Sequence, residues 1–294
     1  MTATAPGPTA RWVAGARPRT LPASIVPVVV GAAVSRPAPT AWGRLALCAV
    51  VALALQVATN YSNDYADGVR GTDEQRVGPL RLTASGLASP GAVRAAAMCA
   101  FGVAAGAGLW LAALTSWWLL VVGALAILAG WGYTGGPKPY GYFGLGEVFV
   151  FVFFGLVATA GTSYCLTLRV TSLALVAGSA MGLLACALLG ANNLRDVDGD
   201  VVAGKRTLAV RLGRRRGGDL YVAMVIAAFA CGAACAAWRP GALAILLAAP
   251  LAVPPVATVR SDASGPALLP VLAGTARLQL AAGLALAVGI WATA

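Results

Sequence analysis

The 294-residue chain contains no histidine. Without imidazole it can build neither a His–zinc site nor a Ser-His-Asp or Cys-His catalytic group. Charge is scarce: Asp, Glu, Lys and Arg make up 11% of the residues, under half the usual share for a soluble domain. Only ten residues are acidic, and no CxxC pair occurs among the six cysteines. Cys48, Cys99, Cys165, Cys186, Cys231 and Cys235 all fall in apolar stretches and read as small packing residues in helices. Any metal chemistry must rest on oxygen ligands, which favours a hard cation.

Hydrophobic residues reach 59%. That excludes a disordered chain, a fibrous repeat and a small secreted scaffold. The apolar residues gather in runs too long for a soluble core, so the sequence predicts an all-α polytopic membrane protein. Segments 21–34, 42–58, 93–114, 117–133, 144–166, 171–189, 220–238, 241–259 and 269–291 give about nine transmembrane helices around a central cavity. Residues 1–13 read as a disordered N-terminal tail and 14–294 as one transmembrane domain. Pro22, Pro27, Pro250, Pro254 and Pro255 predict kinked or broken helices, tolerable where neighbours satisfy the freed carbonyls. The first segment is short for a bilayer and is expected to reach back towards Trp12.

Basic residues set the expected orientation. With the N-terminus in the cytoplasm and nine alternating spans, 17 of the 21 Lys and Arg fall inside; only Arg36, Arg44, Arg169 and Arg239 fall outside. The positive-inside rule favours this arrangement. It also accounts for the net charge of +11 without nucleic-acid binding.

Seven of the ten acidic residues lie in two short windows. Asn60, Asp64 and Asp67 follow the second segment at spacings that place all three on one face of a continuing helix. Asn192, Asp196 and Asp200 do the same after the sixth, while Asp198 points elsewhere. Four predicted helices separate the windows, so both lie on one membrane side. A chain that avoids charge elsewhere uses such carboxylates. Facing acidic clusters repel when empty and attract cations. Mg²⁺ bridges carboxylates to substrate phosphates, and nearby bases take the remaining phosphate oxygens. The candidates are Arg70, Arg76, Arg81, Lys138, Arg195, Lys205 and Arg206. A diphosphate site at the mouth of an apolar bundle suits a lipid diphosphate. Loss of diphosphate from a prenyl chain leaves an allylic cation that needs a dry pocket, walled here by residues such as Phe149, Phe151, Phe153 and Phe154.

The two clusters, their separation by four helices and the nine-segment plan resemble the UbiA-type intramembrane aromatic prenyltransferases. The branch they most resemble is the 1,4-dihydroxy-2-naphthoate polyprenyltransferases of menaquinone biosynthesis. The resemblance is carried by Arg17-Pro-Arg-Thr-Leu-Pro-Ala-Ser24, Asn60-Tyr-Ser-Asn-Asp-Tyr-Ala-Asp-Gly68, Gly71-Thr-Asp73 and Val77-Gly-Pro-Leu-Arg81. Tyr133-Thr-Gly-Gly-Pro-Lys-Pro-Tyr-Gly141, Gly144-Leu-Gly-Glu147, Ala191-Asn-Asn-Leu-Arg-Asp196 and Gly204-Lys-Arg-Thr-Leu-Ala-Val-Arg-Leu-Gly213 continue it. It implies Mg²⁺–diphosphate roles for Asp64, Asp67, Asp196 and Asp200, supported by Asn60 and Asn192. It adds Lys138 to the catalytic set, and Arg19 and Tyr133 to the substrate-binding candidates. The implied partners are a polyprenyl diphosphate, 1,4-dihydroxy-2-naphthoate and the lipid bilayer. The first motif departs from the wider family, having Gly71 where a last Asp is common, with Asp73 following. Glu147 reads equally as an aid to the aromatic substrate or as a helix-end anchor. Rival readings are another aromatic acceptor, a CDP-alcohol phosphotransferase and a cation-coupled transporter. Carboxylates at helix ends rather than near the bilayer midplane argue against the transporter.

Overall fold

A computed structural model describes residues 7–36, 41–72, 80–261 and 263–294, and among these every regular element is helical. The principal helices are α1 (Pro8–Ala16), α2 (Pro22–Ser35), α3 (Trp42–Val69), α4 (Pro90–Leu114) and α5 (Trp118–Gly132). They continue with α6 (Gly146–Thr167), α7 (Ser172–Val202), α8 (Leu208–Ala237), α9 (Pro240–Arg260) and α10 (Gly265–Ala292). Seven of them, α3, α4 and α6 to α10, are long and apolar enough to cross a membrane. All nine sequence segments fall in helices, but two are not simple spans. The first is a pair, α1 and α2, bent by 50°. The other, α5, has only 15 residues, less than the ~20 that a bilayer core requires. The protein is thus a multi-pass helical membrane protein, with seven full-length spans among the described residues, an eighth if the bent pair crosses, and one short apolar helix.

The expected disorder over 1–13 gives way to helix from Pro8 onward. The reason is docking: the Trp12 ring meets Tyr61 edge-on at 5.9 Å, and Tyr61 Oη donates to Trp12 O at 2.7 Å. Arg17 then takes a left-handed conformation (φ 53°), which breaks the helix before Pro18 and makes the bend. Asn60 Nδ2 holds the bend to α3 by donating to Ala16 O (2.9 Å) and Thr20 Oγ1 (3.0 Å).

Helix α7 is the axis of the bundle, and its apolar window is the most buried of the seven. Ala174, Ala177, Ala180, Met181, Leu184 and Ala187 are all sealed. Small residues allow this. A Cβ on Gly155 of α6 would lie 2.5 Å from Gly182 Cα of α7, so the two backbones touch where no side chain fits. Within α6, Phe151–Gly161 is wound as a π-helix. Consequently Phe151 packs on α7 at Gly182, whereas Phe149 stacks between Tyr140 (3.9 Å) and Phe153 (6.3 Å).

Both acidic windows extend their helices beyond the apolar runs, α3 to Val69 and α7 to Val202. The chain passes from one to the other through α4, α5, α6 and α7 itself, an even number of helices. The ends of α3 and α7, the loop before α6 and the α7–α8 connection therefore share one face of the bundle.

Candidate active site

Asp67 is the hub of that face. It is 3% exposed. Its Oδ1 accepts from Tyr142 Oη at 2.9 Å and Thr72 Oγ1 at 3.2 Å, and pairs with Lys205 Nζ at 3.3 Å. Its Oδ2 lies 3.8 Å from Arg81 Nη2. Asp200, 8% exposed at the end of α7, reaches the same ammonium: Lys205 Nζ is 3.9 Å from Asp200 Oδ1, and Thr207 Oγ1 is 3.5 Å from Oδ2. Two carboxylates from different helices thus converge on one cation. Lys205 and Arg70 also lie over the Tyr142 ring, at 4.7 and 5.5 Å from its centre. Burial, and next the adjacent Asp67 charge, raise the Tyr142 phenol above its ordinary value, so it is held as a neutral donor.

Loop 133–145 is tied down from several sides. Arg70 donates to Thr134 O and Gly136 O, and Thr134 Oγ1 donates to Asn63 Oδ1 at 2.7 Å. Tyr140 Oη donates to Ala129 O at 2.9 Å, and Arg206 N donates to Tyr142 O at 2.8 Å. Tyr142 is therefore a fixed ligand of Asp67.

The other acidic residues have different partners. Asp64 is fully sealed, and its carboxylate accepts from Leu82 N at 2.8 Å and Thr83 N at 2.9 Å, so it anchors the chain leading to α4. Asp196 is engaged by Arg195, whose Nε and Nη2 each donate to it at 2.7 Å; Arg195 also donates to Asn192 at 2.8 Å. Asp198 faces away, paired with Arg214 at 2.6 Å. Behind the site, Asn193 Nδ2 donates to Glu147 Oε1 at 3.0 Å, leaving Glu147 Oε2 buried without a partner among the described residues, beside a void of about 10 Å³.

The structure therefore brings Asp67, Asp200, Lys205 and Arg81 together, with Arg70 beside them. Asp64, Asn60 and Asn192 engage neighbouring protein groups. Tyr133 packs edge-on against Tyr140 at 5.6 Å. Lys138, Arg19 and Arg206 are exposed. Arg76 and Asp73 lie outside the described residues. Sequence reasoning missed Tyr142 and Asn63. Asn63 directly precedes Asp64 and carried a signal by position; Tyr142 stands next to a quoted motif with nothing to mark it.

Among the described residues no three acidic or Cys side chains cluster as a metal cage. The Asp67–Asp200 pair nevertheless suits a hard cation: two carboxylates on facing helices already bracket one positive charge. A divalent ion there would complete its shell with water or phosphate oxygens.

Buried carboxylates and bases at the ends of spanning helices form a polar site at the mouth of an apolar helical membrane bundle. Residues 24–266 match the UbiA prenyltransferase family, and the chain belongs to it. It is 48% identical over 279 residues to the 1,4-dihydroxy-2-naphthoate octaprenyltransferase of Mycobacterium tuberculosis, covering 95% of this chain and 96% of the relative. It is 33% identical to the Escherichia coli protein of the same name, over 96% of both chains. Among solved structures, a UbiA homologue from Aeropyrum pernix superposes with a TM-score of 0.69 at 19% identity, over 93% of this chain and 98% of that one. One from Archaeoglobus fulgidus, bound to DMAPP and Mg²⁺, gives 0.64 at 16%, over 95% and 99%.

Proposed function

We propose that the protein transfers a polyprenyl group from polyprenyl diphosphate to 1,4-dihydroxy-2-naphthoate, releasing diphosphate and CO₂, and so forms the demethylated menaquinol precursor. The observation that carries this reading is the meeting of Asp67 and Asp200 at one cation, in a chain whose full-length relatives bear that activity. These carboxylates would hold Mg²⁺, with Asp196 one turn back on α7, and the ion would neutralise the departing diphosphate; Asp64, one turn back on α3, fixes the chain at Leu82 and Thr83 beside them. Arg81, Arg70, Lys205 and Arg195 orient its oxygens as charge-assisted donors. Lys138 and Arg206, exposed on the same face, reach it from the solvent side. Tyr142 holds Asp67 in place through a neutral hydrogen bond. The Tyr140, Phe149 and Phe153 stack offers an apolar wall that keeps water from an allylic cation. Under the basic-residue bias, this face and the N-terminus are cytoplasmic.

The test supplies membranes containing the protein with 1,4-dihydroxy-2-naphthoate, octaprenyl diphosphate and Mg²⁺, and measures products by mass spectrometry. Prenylated, decarboxylated naphthoquinone that disappears with EDTA, and in both Asp67→Asn and Asp200→Asn, is expected. Diphosphate release only with a different aromatic acceptor would overturn the substrate assignment.

A further inference from the structure

On the face that carries the acidic site, but behind α7, a second cavity of about 390 Å³ opens between α8 and α9. Its polar lining is Arg214, Arg215, Asp219, Arg260 and Ser261; Leu194, Val259 and Leu268 supply an apolar floor. Gly213 creates the arrangement locally. Its backbone (φ 75°, ψ 168°) interrupts α8, and the helix restarts at Arg214 with its arginines beside the end of α9.

Topology alone accounts for basic residues on this face, but such residues should stay hydrated. Arg214 does not. Its Nη2 pairs with Asp198 at 2.6 Å, while its Nη1 is shut from solvent with no acceptor. Arg260 takes Asp219 at 3.4 Å. Arg215 has no carboxylate within ion-pair distance among the described residues. Among the described residues, one whole guanidinium and the buried edge of another therefore have no carboxylate partner in the cavity.

We infer that this cavity binds the phosphate headgroup of an anionic glycerophospholipid, separately from the prenyl-transfer site. Three features select a lipid over a free anion. The cavity lies between two spanning helices at the membrane surface, where basic interhelical pockets hold anionic headgroups. Its floor is apolar, which suits the first methylenes of an acyl chain and not a hydrated free anion. And α9, which leads away from the cavity, exposes Leu247, Leu251 and Val253, apolar surface of the kind an acyl chain covers.

Native mass spectrometry of the full-length protein in detergent, with thermal unfolding alongside, tests this. The probes are phosphatidylglycerol, phosphatidylcholine and inorganic phosphate. A one-to-one phosphatidylglycerol adduct and a raised Tm are expected, with neither from the other two probes. The double change Arg214→Gln with Arg215→Gln should weaken the adduct by about 30-fold, as loss of two basic contacts to an anionic lipid implies. Arg216→Gln, an identical charge change at an arginine that does not line the cavity, should leave it intact. An adduct that survives the double change, or that Arg216→Gln weakens equally, overturns the site in favour of diffuse surface charge. Binding of inorganic phosphate without phosphatidylglycerol overturns the lipid assignment. Should the double variant fail to fold, Arg215→Gln alone, at an exposed side chain, gives the same reading with a smaller loss.

Discussion

Asp67 and Asp200 approach one another through a third residue: Lys205 Nζ stands 3.3 Å from Asp67 Oδ1 and 3.9 Å from Asp200 Oδ1. The ammonium offsets a repulsion that two buried carboxylates would otherwise exert across the helix ends. It also competes with any divalent cation for the same oxygens. Replacing Lys205 with Met should therefore act in opposite directions on two constants. The Mg²⁺ concentration giving half-maximal activity should fall about 5-fold, from the ~1 kcal/mol that a unit charge contributes at 4 Å in a wet site. The KM for prenyl diphosphate should rise, because a phosphate partner is lost. A magnesium titration of product formation measures the first effect; an unchanged or higher requirement refutes the competition.

Asp64 and Asp67 are three residues apart, yet they should fail in different ways. Asp64 gives its oxygens to Leu82 N and Thr83 N in a sealed environment. In Asp64→Asn one amide loses its acceptor and faces an NH₂ group. The cost should be about 2 kcal/mol, typical for a hydrogen bond to a charged group. The readout is Tm in detergent, expected several degrees lower. Asp67→Asn should abolish product, and because it strips Lys205 and Arg81 of a buried carboxylate it should lower Tm as well.

Tyr142 offers a test by pH. Its phenol is raised by burial and by the Asp67 charge, so it stays protonated to higher pH than a free tyrosine. An acid shifted upward contributes no alkaline fall below its ordinary value of about 10. The pH–activity profiles of wild type and Tyr142→Phe should therefore have the same alkaline limb up to that pH. Their rates should differ by no more than about tenfold, the worth of one hydrogen bond. A limb present in the wild type and absent from the variant would show that Tyr142 titrates in turnover.

How much of this was legible in sequence depends on what each residue answers to. The apolar runs answer to the bilayer, so all nine segments appear as helices. The prolongation of α3 and α7 through the acidic windows followed from the Asn-x-x-x-Asp spacing, because carboxylates recur on one face only if the helix continues. The shortness of α5 was hidden, since the sequence 117–133 is apolar throughout. Which oxygen faces which partner was also hidden. Asp64 and Asp67 have the same chemistry, and only the return of the chain at Leu82 and Thr83 separates them. Docking of Trp12 on Tyr61 similarly orders residues whose composition alone reads as a tail.

The buried pair Glu147–Asn193 predicts an asymmetric outcome. Glu147 Oε1 accepts from Asn193 Nδ2 at 3.0 Å, and Oε2 already lacks a partner. Glu147→Gln preserves the acceptor and relieves a buried carboxylate, so stability should be unchanged or slightly higher. Asn193→Leu removes the one donor and leaves both oxygens desolvated and unpaired, which costs about 1–3 kcal/mol. The double variant Glu147→Gln with Asn193→Leu should recover part of that loss. Thermal unfolding of the four proteins closes the cycle. Equal destabilisation by both single changes would mean that the carboxylate charge itself is needed.

Gly155 gives the sharpest packing prediction. A Cβ there would lie 2.5 Å from Gly182 Cα and 2.7 Å from Gly178 O, both backbone atoms that no rotamer change can move. Gly155→Ala must therefore push α6 away from α7, at a cost of about 1–3 kcal/mol for overpacking. Because α6 begins at Gly146, directly after the loop that supplies Tyr142, the displacement should also reach the active site. Both Tm and turnover should fall. Gly102→Ala is the matched control: a glycine of α4 whose Cβ would meet nothing within 4 Å. It should raise stability slightly through helix propensity and leave activity unchanged. If the two alanine variants unfold at the same temperature, the α6–α7 contact is not as close as the backbone indicates.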